Sequence, residues 1–343
     1  MNPLARDLDH VLAHTADVWP SLRDAQIFVT GGTGFFGCWL LESYAWVWER
    51  LRFSGSMTVL TRSAQAFHGT APHLAKHRGI RLIEGDVRSF DLAGAQFSHV
   101  IHAAADATPE LCRERPLLVL DTIVDGTRRV LDFAAEAGAR RFLLTSSGSV
   151  YGAQPREMSH MPETYAGGPD VTDQKWVYAE GKRVAEMLCA VYKQSAMDCV
   201  VARCFAFVGP YLPLDAHFAI GNFIRDAGNG QAIRVNGDGT AVRSYLYAAD
   251  LAIWLWTMLV KGQSGRPYNV GSENAISIVD LARLVAAGGR VEIAGTPVAG
   301  TLPERYVPDC TRARTELNLR DLIPLDEAIR RTAETQLLKE EAW

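Results

Sequence analysis

A tyrosine and a lysine stand four residues apart in Tyr178-Ala-Glu-Gly-Lys182 and share one face if the stretch is helical. A free phenol titrates near 10 and is a poor base at neutral pH, but a neighbouring ammonium favours its phenolate. Such a pair makes a proton acceptor for an alcohol while hydride leaves the same carbon. Upstream, Thr145-Ser-Ser-Gly-Ser-Val-Tyr-Gly152 offers serine hydroxyls that can share that alcohol with the tyrosine. Nearer the start, Thr30-Gly-Gly-Thr-Gly-Phe-Phe-Gly37 fits Gly-x-x-Gly-x-x-Gly from Gly31 and Gly-x-Gly-x-x-Gly from Gly32. Its glycines allow a tight turn and let a pyrophosphate approach a helix start, where free N–H groups and the helix dipole favour an anion. Read alone, the Tyr–Lys pair is also compatible with a helix-surface contact, and the serines with a plain turn.

The elements that must position these groups follow from periodicity. Gln26–Thr30 reads as a buried strand, the glycine segment as a turn and Phe35–Arg52 as a helix. Met57–Thr61, Ile80–Ile83, Val100–His102, Phe142–Thr145 and Cys199–Ala202 read as further strands. Pro116–Ala137, with proline at its start and Gly138 beyond its end, is a long helix, and Asp173–Gln194 another. This alternation predicts an α/β fold of Rossmann type, a doubly wound parallel sheet with helices on both faces. Beyond Arg203, Gly and Pro become frequent, which predicts a smaller C-terminal substrate-binding lobe over the carboxyl edge of the sheet, where such folds bind ligands. Residues 1–22 read as a helical extension with Leu8, Val11 and Leu12 on one face. The expected division is 23–206 for a dinucleotide-binding unit, to which 240–272 return, and 207–239 with 273–343 for the lobe.

The 343 residues are 48% hydrophobic, and 35 basic against 39 acidic side chains leave a net charge of −4. No nucleic-acid partner and no anionic-membrane partner is expected from that balance. The longest strongly apolar run, Leu251–Val260, is about half what a membrane helix needs. Met1–His14 lacks the apolar run of a signal peptide. None of the six cysteines falls in a Cys-x-x-Cys pair or at zinc-ligand spacing, so no metal site is expected, and reduced thiols point to a cytoplasmic protein.

The end of the second strand bears on cofactor choice. An acid there holds a ribose 2′-hydroxyl, whereas an arginine suits a 2′-phosphate. The chain has Thr61-Arg62-Ser63, which favours NADP over NAD.

Glycine loop, serine segment and Tyr-x-x-x-Lys, in this order on one α/β pattern, resemble the extended short-chain dehydrogenase/reductase family of nucleotide-sugar epimerases, dehydratases and decarboxylases, over about residues 25–320. The resemblance implies a catalytic trio of Ser147, Tyr178 and Lys182, with Tyr178 as acid/base and Lys182 holding the nicotinamide ribose and lowering the tyrosine's pKa. It implies a cofactor held by Gly31, Thr33, Gly34, Phe35, Phe36 and Gly37, by Thr61 and Arg62, by Asp86 and Val87 of Gly85-Asp-Val87, by Ala103, Ala104 and Ala105, and by Thr122. It places Asn222, Arg243 and Arg305 on a nucleotide-diphosphate sugar. It also implies a homodimer built on the two long helices.

Two departures narrow the expected chemistry. The dehydratases carry Asp-Glu, and the decarboxylases Glu, just before Val-Tyr-Gly; this chain has Gly148 and Ser149, neither of which is a general acid at neutral pH. Ala206 stands where many relatives have a substrate-contacting Asn. Hydride transfer at C4 of the sugar is therefore expected, by a 4-epimerase or a 4-keto reductase. The alternatives are a 4,6-dehydratase with atypical acid/base residues and a catalytically silent dinucleotide-binding protein.

Overall fold

Strand β1 (Gln26–Thr30) buries Ile27, Phe28 and Val29 completely, as a strand covered on both faces must. In the computed structural model, which describes residues 2–193, 197–216 and 218–341, it is an interior strand of a seven-stranded sheet. The other strands are β2 (Ser56–Thr61), β3 (Ile80–Glu84), β4 (His99–His102), β5 (Arg141–Ser147), β6 (Asp198–Cys204) and β7 (Pro267–Val270). Their spatial order is β7-β6-β5-β4-β1-β2-β3, and every neighbouring pair is parallel. The direction of winding reverses between β1 and β4, and a crevice opens there at the carboxyl ends of the strands.

Successive β1 side chains point to opposite faces. Ile27 and Val29 join the core beneath α2 (Phe35–Leu51) and α5 (Ala248–Lys261). Phe28 joins the core beneath α3 (Pro116–Glu136) and α4 (Val177–Tyr192). Helix α4 begins four residues later than the pattern predicts, because Gln174–Trp176 forms a 3-10 turn first. Its predicted end at Gln194 lies outside the described residues. Helix α2 stops at Leu51, with Arg52 in a left-handed conformation at φ 53°.

The N-terminal extension forms the helix α1 (Ala5–His14), and its buried face differs in part from the one read in the sequence: Asp7, Leu8 and Val11 are buried, while Leu12 is half-buried. Asp7 accepts a hydrogen bond of 2.7 Å from the Tyr247 hydroxyl and pairs with Arg331. A carboxylate thus sits inside an otherwise apolar contact because both charge and hydrogen-bonding capacity are matched. Among the described residues, the strands outside the large sheet have two or three residues each. Val242–Arg243, expected to return to the dinucleotide-binding unit, instead runs parallel to Arg305–Tyr306 of the lobe, with Tyr306 opposite Arg243, and so forms part of the lobe's wall. No described helix is long and apolar enough to cross a membrane.

Candidate active site

At the crevice the chain approaches itself too closely for side chains. Gly31 has φ +71°, and a Cβ there would lie 2.5 Å from the Ala103 carbonyl carbon; only glycine meets both demands at low cost. A Cβ on Gly37 would lie 2.3 Å from Gly32, so the first turn of α2 rests directly on the loop. Gly34 is the N-cap of α2 and supplies no side-chain cap. The first-turn N–H groups therefore face the crevice without intrahelical partners, as a pyrophosphate needs. Thr30 fastens this corner: its hydroxyl bonds His102 Nδ1 at 2.7 Å, and His102 Nε2 bonds Thr127 at 3.0 Å. Burial, then the charge of Lys182, pushes His102 down to about 3, so the imidazole is a neutral brace between β1, β4 and α3.

A cleft of about 790 Å³ runs from this corner. Gly31, Gly34, Phe35, Phe36, Ala103 and Ala105 line it, and so do Ser147, Tyr178 and Lys182. Ser147 ends β5, while the Tyr and Lys lie one turn apart on α4. The Lys182 ammonium donates 2.7 Å to the Thr145 carbonyl, and Nζ stands 5.9 Å from the Tyr178 ring centre. Desolvation lowers Lys182 to about 8. It also raises Tyr178 to about 12, against the opposing hydrogen bond with Ser147. For the tyrosine, loss of water outweighs the hydrogen bond with Ser147. Ser147 accepts hydrogen bonds from the Ser149 backbone N–H at 3.1 Å and the Ser149 hydroxyl at 2.9 Å.

The opposite wall belongs to the lobe and to the segment after β6. It carries Phe205, Ala206, Phe207 and Phe218, with Arg243, Tyr245 and Tyr306. Ala219 and Ile278 are shared with an adjoining hollow of about 600 Å³ that holds Asn222, Arg225 and Arg234. Arg243 thus lies in the cleft and Asn222 in the hollow beside it. Arg305 is in neither: it occupies the strand position next to Tyr306 and points to the other face.

The remaining sequence candidates frame the crevice without lining it. Thr33 belongs to the loop behind and Gly37 to the first turn of α2, Thr61 is buried at the end of β2, and the Ala104 N–H donates to Thr30. Arg62 is 77% exposed and pairs with Asp106 at 2.7 Å. Hydrogen bonds from Arg88 hold Asp86 near 2. Val87 packs on Gly126, where a Cβ would meet it at 2.9 Å, and Thr122 is half-buried on α3. Tyr306 and the aromatic wall went unnoticed in the sequence. The tyrosine faces the cleft through its register with Arg243, a pairing that local sequence does not reveal. No cluster of metal-ligating side chains occurs among the described residues.

Known proteins bear out this architecture. The chain is 31% identical over 311 residues to UDP-glucuronic acid decarboxylase 1 of Xenopus tropicalis, covering 90% of this chain and 71% of that protein. It superposes on dTDP-glucose 4,6-dehydratase of Bacillus anthracis, solved with NAD, at a TM-score of 0.77 and 20% identity, covering 93% of this chain and 98% of the other. UDP-glucose 4-epimerase of Thermotoga maritima, solved with UDP-glucose, matches at 0.77 and 21%, covering 92% and 99%. Residues 27–271 match the family description itself, and the chain belongs to the NAD dependent epimerase/dehydratase family.

Proposed function

We propose that this chain is an NAD(P)-dependent oxidoreductase of nucleotide-diphosphate sugars that transfers hydride at C4, as a 4-epimerase or a 4-keto reductase. One observation carries the reading: Ser147, Tyr178 and Lys182 meet in a single cleft whose far end is the glycine-lined crevice. The bound dinucleotide supplies the acceptor or donor of hydride. The uncapped start of α2 takes its pyrophosphate, and Lys182 its nicotinamide ribose. Tyr178 holds the proton of the sugar's 4-oxygen, giving it to a 4-keto oxygen or taking it as the C4–H bond breaks and C=O forms. Burial makes the phenol the resting state, and the Lys182 ammonium is the chain's own source of positive charge for the reverse step. Phe205, Phe207 and Phe218 exclude water. Arg243 suits the diphosphate and Asn222 the nucleotide beyond it; the exposed Arg62 favours NADP. Leu117 on α3, 72% exposed, and Met187 on α4, 65% exposed, suit pairing of two copies through these helices, which a solution mass near 37.6 kDa would contradict.

A second reading has its own support in the identity to UDP-glucuronic acid decarboxylases. Once C4 is a ketone, a carboxylate on C5 is β to it. The C5–carboxylate bond can then break with its electrons entering the carbonyl, and no acid at position 149 is needed. Water loss, by contrast, needs a proton donor that Gly148 and Ser149 do not provide.

The two readings separate with UDP-glucose, UDP-glucuronic acid and dTDP-glucose deuterated at C4, incubated with NAD or NADP and followed by mass spectrometry and NMR. Epimerisation returns the label to C4 with mass unchanged, and decarboxylation returns it with loss of CO2. A 4-keto reductase run backwards moves the label to free dinucleotide. Failure to displace the label from C4 or change any of the sugars would defeat both.

A further inference from the structure

We propose that Glu186 is a positioning residue of the reacting centre: one turn of α4 beyond Lys182, it pins the catalytic helix to the ends of β5 and β6 and sustains the charge of the lysine. The inference rests on the nucleotide-sugar reading above and deepens it.

Tyr178, Lys182 and Glu186 follow one another at intervals of four residues on α4, so they share one face of the helix. The first two line the cleft, and Glu186 lies behind them, beside a separate hollow of about 340 Å³. Two strands hold its carboxylate. From β5, the hydroxyl of Ser146, the residue before Ser147, donates to Oε1 at 2.5 Å. From β6, Arg203 donates through Nε to Oε1 at 3.0 Å and to Oε2 at 3.2 Å, and through Nη2 to Oε2 at 2.6 Å. The chain of contacts continues towards the lobe. Arg203 Nη1 donates 2.9 Å to the Tyr151 hydroxyl, which donates 2.7 Å to Asn269 Oδ1 on β7. Asn269 Nδ2 donates 2.9 Å to the carbonyl of Asp309, three residues past Tyr306.

The Glu186 and Arg203 side chains are 14% and 16% exposed. A largely buried ion pair is a poor device for stability alone, since well-packed apolar side chains serve as well or better. Its place on the catalytic helix gives it another use. Around the Lys182 ammonium stand Tyr178 and Cys189 from α4, Cys204 from β6 and His102 from β4. All four are neutral at pH 8. Burial raises Tyr178 and Cys204 to about 12 and lowers His102 to about 3, while contact with Cys199, then burial, raises Cys189. Glu186 is the charged side chain beside these neighbours, and its carboxylate opposes the desolvation that brings Lys182 down to about 8. Near that pH a modest electrostatic contribution decides what share of the protein carries the ammonium. The carboxylate therefore acts twice. Through Ser146 and Arg203 it fixes where α4 stands, and through its charge it preserves the cation that favours the Tyr178 phenolate.

Glu186→Gln keeps the shape and an oxygen acceptor but removes the charge. The chain has six lysines, so carbon-13 labelling of lysine Cε lets each be titrated by NMR, with Lys182→Arg identifying the resonance. The Lys182 midpoint should drop by about 0.3–1 pH unit in Glu186→Gln. Arg203→Gln loosens the same contact but leaves the carboxylate, and its midpoint should hold or rise. The double variant, which buries no unpaired charge, should drop as Glu186→Gln does and replaces it if the single variant does not fold. In turnover of UDP-glucose or UDP-glucuronic acid, the alkaline limb of the pH profile should move with the midpoint. A midpoint unmoved by loss of the carboxylate would deny its charge any effect. An equal fall in Glu186→Gln and Arg203→Gln would leave only helix packing. Either result overturns the role of Glu186 and leaves the proposed function standing, because the titration uses neither dinucleotide nor sugar. A parent that transforms no nucleotide sugar would remove the function, and this role with it, whatever the titration shows.

Discussion

Along the sheet, the cleft is walled by main chain: Gly31 sits against the Ala103 backbone, and the uncapped first turn of α2 closes the corner. Across from it, on the lobe, the wall is side chains: Arg243, Tyr245 and Tyr306, carried on or beside strands of two residues. The first wall has no room for an added atom, and the second fails when atoms are removed. On the proposed function, the main-chain wall takes what all dinucleotides share, a pyrophosphate and a ribose. Side chains can change one at a time without disturbing the sheet, so on that reading specificity for a particular sugar belongs to the lobe.

The sharpest break falls where the walls meet. Tyr178→Phe removes one oxygen from the cleft, and turnover of whichever nucleotide sugar the enzyme accepts should drop about 10²–10⁴-fold, the range of a lost general acid/base. Dinucleotide affinity, followed by quenching of tryptophan fluorescence, should stay within about 2-fold. A variant that keeps its rate would place proton transfer elsewhere.

Adding atoms tests the main-chain wall. Gly31→Ala must take φ +71° and set its methyl against Ala103. The left-handed conformation costs about 1 kcal/mol and the overpacking about 1–3 kcal/mol more. Dinucleotide affinity should fall about 10²-fold. Gly69→Ala is the matched control: nothing lies within 4 Å of its Cβ position in the helix Ala64–Thr70. It should leave affinity unchanged and stabilise slightly.

Removing atoms tests the lobe. On the proposed function, Arg243→Ala deletes charge-assisted hydrogen bonds to the diphosphate, and UDP affinity should fall about 10–100-fold. Arg305→Ala should stay within about 2-fold, because its side chain leaves the other face of the strand. Equal losses would mean that both arginines reach the diphosphate and that the two-residue register does not hold in solution.

This pair of arginines also shows what the sequence could convey. Six strands of the sheet were legible because each is a short apolar run ended by a turn, and the glycines at 31, 34 and 37 have few uses other than a phosphate turn; the seventh, Pro267–Val270, was not read, because Pro and Asn break its apolar pattern and it joins the sheet only by pairing with β6. Tyr178 and Lys182 were legible because helical spacing brings i and i+4 together. The lobe was not, because Arg305–Tyr306 reaches the cleft by pairing with a strand some 60 residues away, and a shift of one residue exchanges Arg305 for Tyr306 on the inner face. Asp7 was hidden for a similar reason. An acid on a helix face reads as solvent-exposed until the partners Tyr247 and Arg331, distant in sequence, are brought to it.

The smallest effect concerns the choice between dinucleotides, at the outer rim of the main-chain wall. Arg62 reaches a ribose 2′-phosphate only by leaving Asp106, at 2.7 Å. That pair is exposed, and such pairs contribute about 0–1 kcal/mol, whereas a phosphate dianion offers the guanidinium bidentate, charge-assisted bonds. Arg62 should therefore exchange partners and give NADP an advantage of less than about 10-fold. Arg62→Ala should erase the difference in Kd between NADP and NAD, and Asp106→Ala should widen it by freeing the arginine and removing a charge that repels the phosphate. Unchanged ratios in both variants would show that the rim reads nothing, and that cofactor choice lies within the main-chain wall itself.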